Sequence, residues 1–382
     1  MTTPIHVRIL AALAALLVLA TPPARAQRLE FKMISSGANQ PGLRLGSRPY
    51  LQILAGLHSG HDPARLAADL GLASAEIAAR LDSLLNDELV SRRGNALHPT
   101  CMVVTAEEGA ALATSAASVA RGAVPFMRQA VERLRGEYRS VPGLARLAFD
   151  DVSFFLASNV LLDNWQINAV EARWLKAERP RRGRARYYCA ILTRTDEARE
   201  AFGIYGNQMS GLGEGRMFAV YGNRRGGEHD LTSLRADRLA ALTGLPDTTP
   251  RAVLRARLFT DLGRWAAGVP GYTAPETLSR GLEGMGLVRD GRPLFALLDT
   301  ADVRRLDDLA AGVTDSLVAH LARSTPRLRE EWKKSAWGAE VTFEEYGIWW
   351  YHFFYTALTD QLGAEGVIQI PATGLFHYGM VR

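Results

Sequence analysis

Several features common in enzymes and in small secreted scaffolds are missing from this sequence of 382 residues. It has only two cysteines, Cys101 and Cys189, which are too few for a disulfide-built scaffold. No serine-nucleophile elbow, metalloprotease helix or zinc cluster is present. The net charge of +5 is too small a bias over this length to argue for a polyanionic partner. We therefore expect no cofactor and assign no enzyme class.

The N-terminus has the three parts of a secretory signal peptide. Arg8 precedes an apolar run over residues 9–20, and small residues at Ala24 and Ala26 mark a cleavage site. The run is shorter than the roughly 20 apolar residues that span a bilayer, so we expect no permanent membrane anchor. Cleavage after Ala26 predicts a periplasmic or secreted protein that begins at Gln27. In such an oxidising compartment the two cysteines either pair or remain buried thiols.

The rest of the chain is too long for one typical core, so two domains are expected. We divide the sequence into a signal peptide (1–26), a linker (27–47), a first half (48–210), a glycine-rich hairpin or linker (211–234) and a second half (235–382).

Residues 50–112 follow the order helix, helix, turn, helix, hairpin, helix. Asp62 followed by proline predicts the start of the second helix, and Gly71 suits the tight turn that ends it. A third helix is predicted after Ser74, then a two-stranded wing over residues 90–104. Thr105, with a glutamate three residues later, predicts a capping box for the next helix.

These residues resemble the winged helix-turn-helix superfamily, especially regulators of the MarR and ArsR kind. The likeness rests on residues 66–72, the spaced leucines that lead to Val90, and residues 105–109. It implies a DNA-binding fold, with the third helix in a major groove. The arginines available for such contacts are Arg80, Arg92, Arg93, Arg181, Arg182 and Arg184. The third helix, however, carries four acidic residues and only Arg80 as a cation, so this face is expected to repel DNA.

The second half repeats features of the first. Residues 133–138 recur as 327–332, and residues 149–151 recur as 343–345, both at an offset of 194. Upstream, residues 84–90 correspond to 282–288 at an offset near 198. The sequence thus predicts an internal duplication. The expected fold is α+β and mainly helical, with two winged-helix-like modules that are each followed by long helices and a small antiparallel sheet.

Strand-like sequence lies between the halves. Residues 202–207 and 218–223 are near-copies, which predicts a hairpin or meander, and residues 375–379 echo them. Glycines at 211, 213 and 215 could form a phosphate loop, but the companion lysine and a following helix are missing. A flexible hairpin loop is the preferred interpretation.

Candidate polar sites are few. His58 and His61 have metal-ligand residue types, but no further ligand can be assigned, so no metal site is expected. The acid pairs 150–151 and 344–345 each follow a phenylalanine and suit the first turn of a helix. In the aromatic helix after residue 345, Glu345 and His352 share a face. They form either a buried hydrogen-bonded pair or, as a minority hypothesis, a catalytic pair.

Three functional hypotheses follow. The preferred one is an exported, non-catalytic binding protein whose partner is a protein or an unidentified ligand, with the winged modules as packing or interaction units. A DNA-binding regulator is the alternative if translation starts at Met33. The third is an extracytoplasmic enzyme of unknown class that uses Glu345 and His352.

Overall fold

The computed structural model describes residues 28–35, 39, 41–194 and 200–382. The predicted signal peptide lies outside the described residues. Within them the chain is α+β, with twelve α-helices and several small sheets. This confirms the predicted class and its mainly helical character.

The first module consists of three helices, a hairpin and a short strand. Asp62 caps the second helix by accepting a hydrogen bond from the Arg65 amide (2.8 Å), and Gly71 ends it in the left-handed conformation (φ 62°), as predicted. The bounds of these elements are α1 Arg48–His58, α2 Pro63–Leu70, α3 Ser74–Asn86, β2 Val90–Arg93, β3 Ala96–Pro99 and β4 Met102–Val104. Residues 90–99 of the predicted two-stranded wing form the β2–β3 hairpin, whereas residues 102–104 form β4, which pairs with β7 in a separate sheet.

A long helix follows the first module and leads into the interior. It is α4, Ala106–Glu137, and Thr105 and Glu108 form its predicted capping box. The remaining elements of this half are α5 Phe149–Phe154 with π-helical turns Phe155–Val160, α6 Ile167–Val170 with π-helical turns Glu171–Leu175, β5 Arg181–Arg182, β6 Ala185–Arg186 and β7 Tyr188–Arg194. Strand β1, Arg28–Ile34, precedes the module and pairs with β7. The segment expected to be a linker therefore contributes a sheet strand.

The second half begins with a hairpin and then forms a second module. The hairpin consists of β8 Gly206–Gly213 and β9 Arg216–Gly222; the second module contains α7 Ala236–Thr243, α8 Arg251–Ala267, α9 Glu276–Gly284, β10 Val288–Arg289, β11 Arg292–Pro293 and β12 Phe295–Leu298. Helices α10 Thr300–Lys334, α11 Trp337–Glu340 and α12 Phe343–Ala364 follow, and β13 Leu375–Val381 closes the chain. Gly211 and Gly213 lie in strand β8, and β9 follows the turn, so the glycine segment is a hairpin and does not precede a helix.

Two sheets share an arrangement of three strands, and the second sheet has β8 as a fourth strand beside β9. In the first, β7 pairs antiparallel with β1 and parallel with β4. In the second, β13 pairs antiparallel with β9 and parallel with β12. In each sheet the last strand in chain order, β7 or β13, lies between its two partners. The strand that follows the module's hairpin, β4 or β12, lies at one edge.

Three hydrophobic cores hold the molecule together. One lies inside each module, and the largest lies between the long helices. Helix α12 packs against α4 and against β4 and β7 of the first sheet. The π-helical turns after α5 pack against the second sheet instead, where the Phe155 and Phe376 rings stack at 4.6 Å between centroids. Helix α12 of the second half thus packs on the first sheet, which α4 also contacts, and a helical segment of the first half packs on the second sheet.

Candidate functional site

The third helix of each module presents small and acidic side chains to solvent. On α3 the exposed residues are Ser74, Ala75, Glu76, Ala78, Ala79, Asp82 and Asn86. Arg80 is half-buried and forms an ion pair with Glu76 (2.5 Å). On α9 the one arginine, Arg280, is likewise paired with Glu276 (2.5 Å). Within the described residues, the arginine of each of these helices is paired with a glutamate. Neither helix therefore presents an unpaired cation for contacts with phosphates or bases.

The six arginines proposed for nucleic-acid contact do not form one surface. Arg92 and Arg93 are exposed on strand β2, and Arg181 and Arg184 are exposed on the β5–β6 hairpin. Arg182 is buried, and its guanidinium donates to the Glu345 carboxylate (2.5 Å) and the Tyr187 carbonyl (2.7 Å). Arg182 therefore holds the interior together and is not available to a polyanion.

An open groove runs between the helices of the first module and its hairpin. We call it the module groove, and its volume is about 640 Å³. Apolar side chains from α1, α3 and β3 form its floor, including Leu57, Leu81 and Leu97. Asp62 and Asp82 lie on its acidic side, and Arg92 lies on the side of the hairpin. Such a mainly apolar cleft with a few charged groups is typical of a binding site.

His58 belongs to a buried ion cluster. Its Nδ1 lies 2.7 Å from Glu340 and its Nε2 lies 3.0 Å from Glu108. Burial alone would lower the pKa of His58, but the hydrogen bonds and charges of Glu108 and Glu340 outweigh it and raise the pKa to about 9. A protonated imidazole cannot ligate a metal ion. His58 is a charged link between α1, α4 and α11.

The two candidate metal ligands do not converge on one point. His61 pairs separately with Asp69 (3.0 Å), while His58 faces the two glutamates. Within the described part of the chain, no group of three or more His, Cys, Asp or Glu residues is arranged to hold a metal ion.

Glu345 and His352 lie on α12 but do not bond to each other. Glu345 is fully buried, accepts from Arg182 and also accepts from the Cys189 amide (2.9 Å). Burial raises its pKa, against the opposing effect of Arg182. His352 Nδ1 lies 2.8 Å from the Ile348 carbonyl, and burial lowers the His352 pKa to about 4. Two helical turns separate the pair, and each side chain has a different partner: Glu345 bonds residues of β5 and β7, and His352 bonds the preceding turn of its own helix.

Cys101 and Cys189 form a disulfide bond. Their Cα atoms lie 5.1 Å apart, within the range of protein disulfides. The bond joins the residue before β4 to the second residue of β7, and the Cys189 amide is also the donor to Glu345. Of the two alternatives left open by the sequence, the structure contains the paired one.

A buried polar centre was missed in the sequence. Ser158 Oγ lies 2.5 Å from Tyr221 Oη and 2.8 Å from Thr359 Oγ1. Nearby, burial raises the pKa of Asp163 to about 7, although hydrogen bonding with Tyr355 and the charge of Arg225 oppose the rise. These residues are far apart in sequence and match no motif, so only the folded chain brings them together. Asp163 is only 7 % exposed, so this centre is part of the packed interior.

No protein-family model, curated protein or solved structure matches this chain. None of the helices in the described ranges is both long enough and apolar enough to cross a membrane.

Proposed function

We propose that this chain is an exported, non-catalytic binding protein built on two winged-helix-like modules, and that the first module holds a protein partner in its module groove. One observation carries the proposal: α3 exposes only small, acidic or neutral residues, while an apolar groove opens directly beside it. This surface suits protein contact better than contact with a polyanion.

Matched interactions support duplication of the halves. Arg135 lies over the Phe149 ring (4.2 Å), and Arg329 lies over the Phe343 ring (3.9 Å). Both pairs are separated by the offset of 194 that relates the sequence repeats. Tyr138 Oη donates to the Leu147 carbonyl (3.1 Å), and its counterpart, the Trp332 indole, donates to the Val341 carbonyl (3.2 Å). The two sheets with the same strand arrangement fit the same relation.

Two features support export. A disulfide persists in an oxidising compartment such as the periplasm or the extracellular space. A start at Met33, as the regulator hypothesis requires, would remove Arg28 to Lys32 from β1. The chain would then lose most of the β1–β7 pairing and the ion pair between Lys32 and Glu200.

The chemistry of the groove indicates the kind of partner. Its apolar floor would bury leucine-like side chains, at about 25 cal/mol for each Å² removed from water. Asp62 and Asp82 border the groove, and Glu76 extends the acidic surface along α3. We therefore propose as its occupant a protein segment that carries apolar side chains flanked by basic ones.

Site-specific photo-crosslinking in the cells that make the protein tests this proposal. A crosslinker replaces either Ala78, which lines the groove, or Ala79, the next residue of α3, which is exposed but outside the groove. We expect one discrete adduct from position 78 and little from position 79, and we expect Asp82→Lys to weaken the adduct.

Equal adducts at both positions, or none at position 78, would refute the groove as a binding site. A gel-shift titration adds a separate check, since salt-sensitive DNA affinity would favour the regulator hypothesis instead.

A further inference from the structure

A second cavity, of about 720 Å³, lies where the first half meets the second module. On one side it is lined by the loop that joins α4 to α5, and on the other by the end of α8 and by strand β11. We call it the arginine cavity because three arginines line it: Arg139, Arg146 and Arg292. Its volume is in the range of small-molecule binding sites.

The three arginines lack carboxylate partners. No Asp or Glu is among the lining residues, and within the described residues none of the three arginines forms an ion pair. The carboxylate of Asp302 lies beside Gly143 of the loop, where it accepts from the Asp299 amide (3.1 Å) in the cap of α10 and pairs with Arg305 (3.7 Å). All three arginines are solvent-exposed at the cavity, and a bound anion would provide the counter-charge that the lining residues lack.

Local structure explains two of these cations. Arg146 packs against Gly268 at the C-terminus of α8, where a positive charge stabilises the helix dipole. Arg139 follows the C-terminus of α4 and has the same role, and its guanidinium lies over the Tyr138 ring (5.6 Å). Arg292 lies on β11 and has no such role. Arg292 instead donates to the Arg146 carbonyl (3.3 Å), which holds the two segments together at the cavity.

The corresponding junction of the first module is filled. At the offset of 194, Gly143 corresponds to Trp337 and Arg146 corresponds to Glu340. The Trp337 indole donates to the Val103 carbonyl (2.6 Å), and Glu340 pairs with His58 (2.7 Å). One copy is thus closed by packed and ion-paired side chains, whereas the other is open and positive. This comparison rests on the proposed duplication, whereas the observation that the three arginines lack carboxylate partners is independent of it.

We propose that the arginine cavity binds a small organic phosphate, in which a phosphate monoester is joined to an aromatic or apolar body. Guanidinium groups match the geometry of phosphate oxygens and bind them through paired hydrogen bonds. Trp265, Leu147 and Phe295 line the same cavity and provide apolar surface for the rest of the ligand.

Calorimetric titration of the mature chain with phenyl phosphate tests this proposal. We expect saturable binding that is weaker for inorganic phosphate, which lacks the ring, and for benzoate, which has one negative charge. Arg146→Met and Arg292→Met should each weaken phenyl phosphate binding about tenfold or more, since each removes a charge-assisted contact. Trp265→Ala should remove most of the advantage of phenyl phosphate over inorganic phosphate.

The matched control is Arg238→Met, because Arg238 is an exposed arginine on α7 of the same module. It should change the affinity less than twofold. Arg146→Lys serves as a second variant that keeps the charge but loses the planar fork, and a thermal melt of each variant checks that it is folded. Absence of saturable phenyl phosphate binding, or an equal loss in Arg238→Met, would overturn the proposal. Because the module groove is not involved, failure here would leave the proposed protein-binding function standing.

Discussion

The two modules differ most at their junctions with the long helices. In the first module Trp337 and Glu340 fill the junction and neutralise His58, whereas in the second a glycine and an arginine leave it open. The hairpins differ too, since β2 and β3 each have four residues and β10 and β11 each have two. The two modules thus combine a similar strand arrangement with different side-chain chemistry at their junctions. Four changes test this contrast.

Trp337→Ala should have the largest effect. The indole is buried, and its removal leaves a cavity and an unpaired Val103 carbonyl. We expect a loss of about 3 to 5 kcal/mol in the free energy of unfolding, measured by urea denaturation. Trp265→Ala, at the open junction, should cost less than about 2 kcal/mol because that side chain is only half-buried. Equal costs would contradict the contrast.

Loss of the disulfide should have the next largest effect. The bond closes a loop between residues 88 positions apart and fixes the first sheet. Reduction, or replacement of both cysteines by alanine, should cost about 2 to 5 kcal/mol. Denaturation with and without reductant measures this cost, and the double variant should not respond to reductant. If wild-type stability is the same under both conditions, this account of the first sheet fails.

The His58 cluster predicts a pH dependence. The folded-state pKa of about 9 lies above the unfolded value of 6.5, so the stabilisation is complete below pH 6.5 and is lost as the pH rises through about 9. The difference in unfolding free energy between wild type and His58→Gln should therefore become smaller, by on the order of 2 to 3 kcal/mol, as the pH rises from 6 to 10. A difference between the two proteins that stays constant over this range would show that His58 is not charged in the fold.

The smallest expected effect tests the duplication. Arg135→Met and Arg329→Met each remove a cation from a phenylalanine ring and from a weak ion pair. Because the two contacts are equivalent, each substitution should cost about 0.5 to 1 kcal/mol, again by urea denaturation. Costs that differ by more than about 1 kcal/mol would argue against equivalent packing.

Local signals predicted local structure well. Asp62, Gly71 and the Thr105 capping box correctly placed the ends of their helices, because caps and turns depend on nearby residues. The hairpin of the second half was placed less well. Its glycines were expected to form a loop, but in the structure they extend strand β8, because pairing with β9 overrides local preference.

Features that depend on distant contacts were not predictable. Strand β1 was interpreted as part of a linker because its pairing with β7 spans most of the first half. Glu345 pairs with Arg182, which is 163 residues away, and His58 pairs with Glu108 and Glu340, which are 50 and 282 residues away, so neither cluster is visible in a local pattern. The arginine cavity likewise combines three segments whose residues show no shared motif.

N-terminal sequencing of the native protein from separated cell fractions tests the central claim most directly. We predict a chain that begins at Gln27 in an extracytoplasmic fraction, with Cys101 and Cys189 paired. A cytoplasmic chain that begins at Met33, with both thiols free, would contradict export and would favour the DNA-binding regulator.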